Sequence, residues 1–315
     1  MTRVAAIDCG TNSIRVLVAD IDAAGALTDV LRRMEIVRLG QGVDTTGRIA
    51  PESMERTLRV AHEYAAQCRE LGAERVRFVA TSASRDADNS ADFQAGVRKA
   101  FGDLDVSPEV ISGDEEASLS FSGATGDLRT DGVDAPYLVI DLGGGSTEFV
   151  LGTDHVERAR SVRMGCVRFT ERHLHSDPPS TTEIAAAEAD IHAAIDKAAD
   201  VVPLDQVGTL IGLAGSVTTI TAYALGLSRY DSERIHGSAL SVSQVVAACE
   251  GLLHATRAER AALGFMHPGR VDVIGSGALI WRCIVQRVAA ESGIERVVSS
   301  EKDILDGIAR SLVVP

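Results

Sequence analysis

The chain has 315 residues, 45% of them hydrophobic and 24% charged, with a formal net charge of −14. That length suits two α/β-sized domains that can each bury a core, and the acidic balance argues against a nucleic-acid surface, which needs a basic face. No apolar stretch approaches a membrane span and no charged-then-apolar leader opens the sequence, while the five cysteines are widely spaced without a Cys-x-x-Cys, so a reducing, cytoplasmic home with no membrane partner is expected.

Residues 4–18, VAAIDCGTNSIRVLV, read as strand, tight glycine-bearing turn and strand. Pro51 marks the first position of a helix whose apolar stripe runs Met54, Leu58, Ala61, Ala65, Cys68 and Leu71, and Gly72 ends it. A strand over 75–81, a helix over 90–101 and a strand over 106–112 follow. Residues 137–151, YLVIDLGGGSTEFVL, then repeat the opening hairpin without a gap: Asp8 falls on Asp141, Gly10 on Gly143 and Ser13 on Ser146. In the second half Ser180-x-x-Glu183 forms a capping box for a helix bearing Ile184, Ala187, Ile191, Ala194 and Ala198 on one face. A buried strand over 207–213 leads to helices over 216–226, 243–254, 256–263, 271–292 and 302–313. Such alternation implies α/β domains with mixed sheets. The repeat places the domain boundary near residue 122.

The two turns, Gly10-Thr11-Asn12-Ser13 and Gly143-Gly144-Gly145-Ser146-Thr147, can aim several backbone N–H groups at a phosphate, with the hydroxyls of Thr11, Ser13, Ser146 and Thr147 as further donors. Two matched copies, each preceded by an aspartate, favour phosphate binding over ordinary hairpins. The copies differ in one charge, Arg15 against Glu148, which suits one loop that grips phosphate and another that helps to hold a cation. A bare carboxylate at a strand end is costly. A divalent cation would offset it at Asp141, where Glu148 can join as a second ligand, in preference to a side-chain cap of its own turn; at Asp8 the two readings stand level.

Asp114, Glu115 and Glu116 fill the first turn of a helix, where acids also complement the helix dipole. A hydrolase needs one such carboxylate as a base. Arg85 follows a strand and either clamps a phosphate or pairs with Asp86 or Asp88. Gly212 to Thr219 runs from strand to helix N-terminus, a common anion or nucleotide position. By spacing alone Cys166 reads as a small buried hydrophobe.

Together these segments resemble the exopolyphosphatase and guanosine pentaphosphate phosphohydrolase family, within the actin, Hsp70 and sugar-kinase superfamily. The resemblance rests on Asp8-x-Gly-Thr-Asn-Ser, Ala80-Thr-Ser-Ala-x-Arg-Asp-Ala, Ser112-Gly-x-Glu-Glu-Ala and Asp141-Leu-Gly-Gly-Gly-Ser-Thr-Glu. Gly165-Cys-Val-Arg, Ala214-Gly-Ser-Val-Thr and His267-Pro-Gly-Arg extend it over nearly the whole chain. It implies two ribonuclease-H-like domains, residues 1–122 with 300–315 and residues 123–299, around an active-site cleft. It makes Glu116 the general base, has Asp141 and Glu148 (with Asp8) position Mg²⁺ or Mn²⁺, and has Arg85 and both loops hold the phosphates. Arg15, Cys166, Arg168, Gly215, Ser216 and Arg270 would line the substrate cleft. Inorganic polyphosphate is the implied substrate, with guanosine penta- or tetraphosphate the alternative, K⁺ a further cofactor and a homodimer the implied assembly. Longer members carry C-terminal helical domains after this core, so a preference for short chains is expected. Rival readings are an ATP-dependent small-molecule kinase and a non-catalytic alarmone-binding regulator.

Overall fold

A computed structural model describes residues 1–128 and 134–313. By backbone contacts the chain divides into two units, Met1–Gly123 with Ile304–Pro315, and Ala124–Asp303; residues 314–315 and 129–133, within the two expected domains, lie outside the described residues.

The first unit carries β1 (Thr2–Cys9), β2 (Ser13–Ile21), β3 (Leu27–Ile36), β4 (Arg75–Ala80) and β5 (Glu109–Val110) in the order β3-β2-β1-β4-β5. β2 runs antiparallel to both neighbours, whereas β1, β4 and β5 are parallel. The helices are α1 (Val43–Thr46), α2 (Pro51–Glu70), α3 (Ser82–Asp86), α4 (Ser90–Phe101) and α5 (Gly113–Leu128). One face of the sheet packs Ile7, Cys9, Ile14 and Val16 against Ala61, Tyr64 and Ala65 of α2 and Phe93 and Val97 of α4. α2 begins at the expected Pro51, and Gly72 just beyond it takes φ 69°, a left-handed conformation that glycine adopts without a Cβ clash. Its most buried stripe runs Ser53, Thr57, Val60, Ala61, Tyr64, Ala65 and Cys68, leaving Met54 and Leu58 at the margin. The strand expected over 106–112 is confined to Glu109–Val110, because Pro108 just before it has no N–H to pair.

The second unit repeats this plan. Its strands are β6 (Tyr137–Leu142), β7 (Thr147–Gly152), β8 (Val156–Val162), β9 (Thr209–Leu213), β10 (Ala239–Ser241) and β11 (Arg296–Ser299), in the order β10-β11-β9-β6-β7-β8. Read from β8, the sheet again runs third, second, first and fourth strand, then takes its sixth strand β11 where the first sheet has its fifth, with β10 added antiparallel at the edge; β7 is antiparallel to its neighbours and β6, β9 and β11 are parallel. This is the ribonuclease-H-like order in both units. Even the irregularities repeat: the register slips between Val18 and Ala19 in one hairpin and between Leu151 and Gly152 in the other.

The helices of this unit are α6 (Cys166–His173), α7 (Thr181–Ala199), α8 (Ala214–Ala224), α9 (Ser232–Ile235), α10 (Val242–His254), α11 (Arg257–Ala261) and α12 (Ile274–Ser292). The expected capping box opens α7: Ser180 accepts from the Glu183 N–H and the Glu183 carboxylate accepts from the Ser180 N–H. A core of Leu138, Ile140, Phe149 and Leu151 meets Ile191 of α7 and Trp281 of α12. α13 (Ile304–Ser311) belongs to the first unit, where Ile304, Leu305 and Ile308 pack on the second face of its sheet with Val4, Leu17 and Ile21. No described helix is long and apolar enough to cross a membrane.

Candidate active site

The duplicated hairpins close in the same way. Gly10 N–H donates to Ser13 O at 2.9 Å, and Gly143 N–H donates to Ser146 O at 3.0 Å. Each loop is then held from behind through its carbonyls. In the first, Thr11 O accepts from Gly40 N–H (2.9 Å), and Asn12 O from the N–H groups of Val37 (3.0 Å) and Arg38 (2.8 Å). In the second, Gly143 O accepts from Cys166 N–H (3.0 Å), and Gly144 O from those of Val167 (2.9 Å) and Arg168 (3.1 Å). Gly145 O accepts from Arg168 Nε at 2.7 Å. In a planar trans peptide a carbonyl and the following N–H point in opposite directions. The pinned carbonyls therefore turn the N–H groups of Asn12 and Ser13, and of Gly144, Gly145 and Ser146, toward the other side. A loop that directs successive amides one way is an anion cradle.

Side chains around the loops brace them from within each unit. Thr147 is wholly buried and its hydroxyl donates to Met164 O, so that proton is not offered to a phosphate. Thr11 Oγ1 and Ser82 Oγ share a hydrogen bond of 2.9 Å, which joins the first loop to the start of α3. Arg168 is buried and supports its loop from behind.

The paired positions of the two hairpins differ in charge. Asp8 faces Arg15 across β1 and β2, and Asp141 faces Glu148 across β6 and β7. Arg15 donates to Asp8 Oδ2 through Nη2 at 2.6 Å and Nε at 3.0 Å. The buried Asp8 carboxylate is thus matched by the Arg15 guanidinium across the hairpin. Directly opposed residues of an antiparallel pair project from the same face, so Asp141 and Glu148 form a buried two-carboxylate step where the first hairpin has an ion pair. Ser161 of β8 donates to Glu148 Oε1 at 2.7 Å. Two carboxylates suit Mg²⁺, which binds through one or two of them and completes its octahedron with water and phosphate oxygens. Among the described residues no group of three or more His, Cys, Asp or Glu forms a fuller metal cage.

In the first unit the end of β4 and the N-terminus of α5 meet. Arg85 Nη1 donates to Glu116 Oε2 and to Ile111 O, both at 2.8 Å. Glu116 is buried, while Arg85 is a quarter exposed, and its Nε and Nη2 meet no acceptor among the described residues. Arg85 can thus orient Glu116 and still offer donors to a phosphate oxygen. The neighbouring acid Glu115 instead pairs with Arg77, which also holds Glu109; it braces the helix start.

The remaining candidates gather in the second unit. α8 starts at Ala214, a non-glycine residue with φ 68°, a left-handed conformation that costs about 1–2 kcal/mol. Next to it the Arg270 guanidinium lies so close over Gly215 that a Cβ there would overlap it, and Nη1 donates to Thr219 Oγ1 at 3.2 Å. Gly277 of α12 packs against both Ser216 and Cys166. Burial pushes the Cys166 thiol up, against a Ser216 hydrogen bond and the Arg270 charge. Cys166 is buried and packs against Gly277 beside Ser216. Sequence reasoning missed Ser161, which follows the charged Glu157, Arg158 and Arg160 in β8, and Gly40.

A family model described as the Ppx/GppA phosphatase family matches residues 17–312. The chain is 49% identical over 317 residues, 99% of both chains, to a protein named Exopolyphosphatase 2 from Mycobacterium tuberculosis. It is 31% identical to a guanosine-5'-triphosphate,3'-diphosphate pyrophosphatase from Aeromonas salmonicida, over 91% of this chain and 55% of that one. A crystal structure of an exopolyphosphatase-like protein superposes with a TM-score of 0.95 at 44% identity, covering 99% of this chain and 97% of that one. With the matched motifs and the duplicated loops, these likenesses show that the chain belongs to the Ppx/GppA phosphatase family.

Proposed function

We propose that the chain is an exopolyphosphatase, which releases orthophosphate from the end of an inorganic polyphosphate chain by attack of water. The observation that carries this reading is its 49% identity to Exopolyphosphatase 2 along essentially the whole of both chains.

Phosphoryl transfer passes through a loose transition state, so positioning and charge neutralisation do most of the work. Glu116, oriented by Arg85, takes the proton from water as the oxygen bonds to phosphorus and the bond to the bridging oxygen breaks. The spare donors of Arg85 and the amides of the Gly10–Ser13 loop in the same unit receive phosphoryl oxygens, the Gly143–Ser146 loop offers amides to phosphate in its own unit, and the shortened chain departs as the leaving group. Asp141 and Glu148 would hold Mg²⁺ or Mn²⁺, which supplies further neutralisation of phosphate charge. The buried thiol of Cys166 takes no covalent part.

The test is phosphate release with Mg²⁺ from polyphosphate, guanosine pentaphosphate and ATP in parallel. Polyphosphate should give the highest kcat/KM. Faster release from guanosine pentaphosphate moves the assignment to the other branch of the family, and no release from any of them contradicts hydrolysis.

A further inference from the structure

Glycine-rich loops flip their peptides readily, because no Cβ resists rotation. A flipped peptide in either loop would present a carbonyl oxygen to a phosphate, turning attraction into repulsion. Something must therefore hold each loop in one sense, and both units supply it by the same device.

Behind the first loop, the segment from Val37 to Gly40 caps the carbonyls of Thr11 and Asn12. Behind the second, the start of α6 caps those of Gly143 and Gly144, and the Arg168 guanidinium caps that of Gly145. Each bracket comes close enough only through a glycine. A Cβ on Gly40 would overlap the Thr11 methyl, and a Cβ on Gly165 would overlap the backbone of Gly144. Thr11 and Gly144 are the same position of the repeat, 133 residues apart. Arg38 adopts φ 51° to deliver its N–H to Asn12 O, a left-handed strain that the surrounding structure must impose.

We propose that Arg168 with Gly165, and Gly40 with residues 37–39, are positioning residues: each set locks the peptide sense of its own phosphate loop so that amides, not carbonyls, meet phosphate oxygens. This rests on the phosphohydrolase reading above. It gives Arg168 a role without substrate contact, since its guanidinium acts through Gly145.

The test compares Arg168→Ala and Arg168→Lys by steady-state kinetics on polyphosphate at several ionic strengths. Loss of well-aimed donors weakens the transition state more than the ground state, so Arg168→Ala should lower kcat by roughly 10- to 100-fold, within the range for losing preorganised donors. KM should keep its wild-type dependence on ionic strength, because no substrate-touching charge is lost. Arg168→Lys, which still carries a donor for Gly145 O, should recover part of kcat. Near-normal kcat in Arg168→Ala, or a raised KM with a flattened ionic-strength dependence, overturns the proposal in favour of no role or of direct contact. Should Arg168→Ala fail to fold, Gly40→Ala carries the test. It should lower kcat, and adding Thr11→Ser, which removes the clashing methyl, should restore part of it; unchanged kcat in Gly40→Ala overturns the proposal. A wild-type protein without phosphate release refutes the phosphohydrolase reading instead, so the two failures are told apart.

Discussion

The two hairpins share their antiparallel pairing and turn hydrogen bond, and the strand pair that follows each slips register at the matching place, yet one hairpin carries an ion pair and the other two carboxylates. In the first, Arg15 neutralises Asp8 within the fold. In the second, Glu148 stands at the matching position beside Asp141, with Ser161 donating to it. One scaffold, used twice, therefore carries an ion pair in one copy and two opposed carboxylates in the other. A single substituted position decides between them.

The sharpest way to break this contrast is Glu148→Arg, which gives the second hairpin the charge pair of the first. The fold should persist by circular dichroism. Turnover should fall on the order of 10³-fold, since a Lewis-acid contribution of several kcal/mol goes with the second carboxylate. Retained turnover would show that the carboxylate pair is dispensable.

The converse change, Arg15→Met, removes the guanidinium from a buried carboxylate. It should destabilise the protein by about 3 kcal/mol, as breaking a buried pair does, read as a lower midpoint in urea. An unchanged midpoint would deny the pair a structural role.

Ser161→Ala tests the support of the acidic step. If Glu148 holds Mg²⁺ as proposed, loss of the Ser161 bond behind it should weaken Mg²⁺ activation about tenfold, measured by titrating Mg²⁺ against phosphate release, with little change in thermal stability.

The smallest effect lies far from both hairpins. Glu183 is held well below its ordinary value of 4.5, first by the Ser176 hydroxyl, then by the Ser180 and His175 amides. A depressed carboxylate stabilises the fold above its unfolded pKa, and that contribution fades as pH falls below 4.5 through the folded value. Glu183→Gln should thus melt lower than wild type at pH 7, and the gap should narrow below pH 4.5. A gap constant with pH would reject the linkage.

Much of this was legible in the sequence, for identifiable reasons. The ungapped repeat announces both hairpins because each alternates apolar residues around a glycine turn. α2 and α7 show themselves through Pro51 and the Ser180–Glu183 box, which are local signals. β8 was not foreseen, since VERARSV places charges along an edge strand where only Val162 is buried. Nor does position in a motif tell which way a guanidinium points. Arg15, Arg85 and Arg168 all look like phosphate ligands by sequence. The structure sends Arg15 to Asp8, Arg85 partly to Glu116, and Arg168 to the back of a loop. Those choices depend on strand register and helix placement, which no short segment encodes.

The central claim is that Glu116 activates water at a polyphosphate end, and Glu116→Gln measures it most directly. Removal of a general base costs roughly 10²- to 10⁴-fold, so kcat for phosphate release from polyphosphate should fall by that factor while the variant still binds the chain. Turnover within a few-fold of wild type would contradict the account.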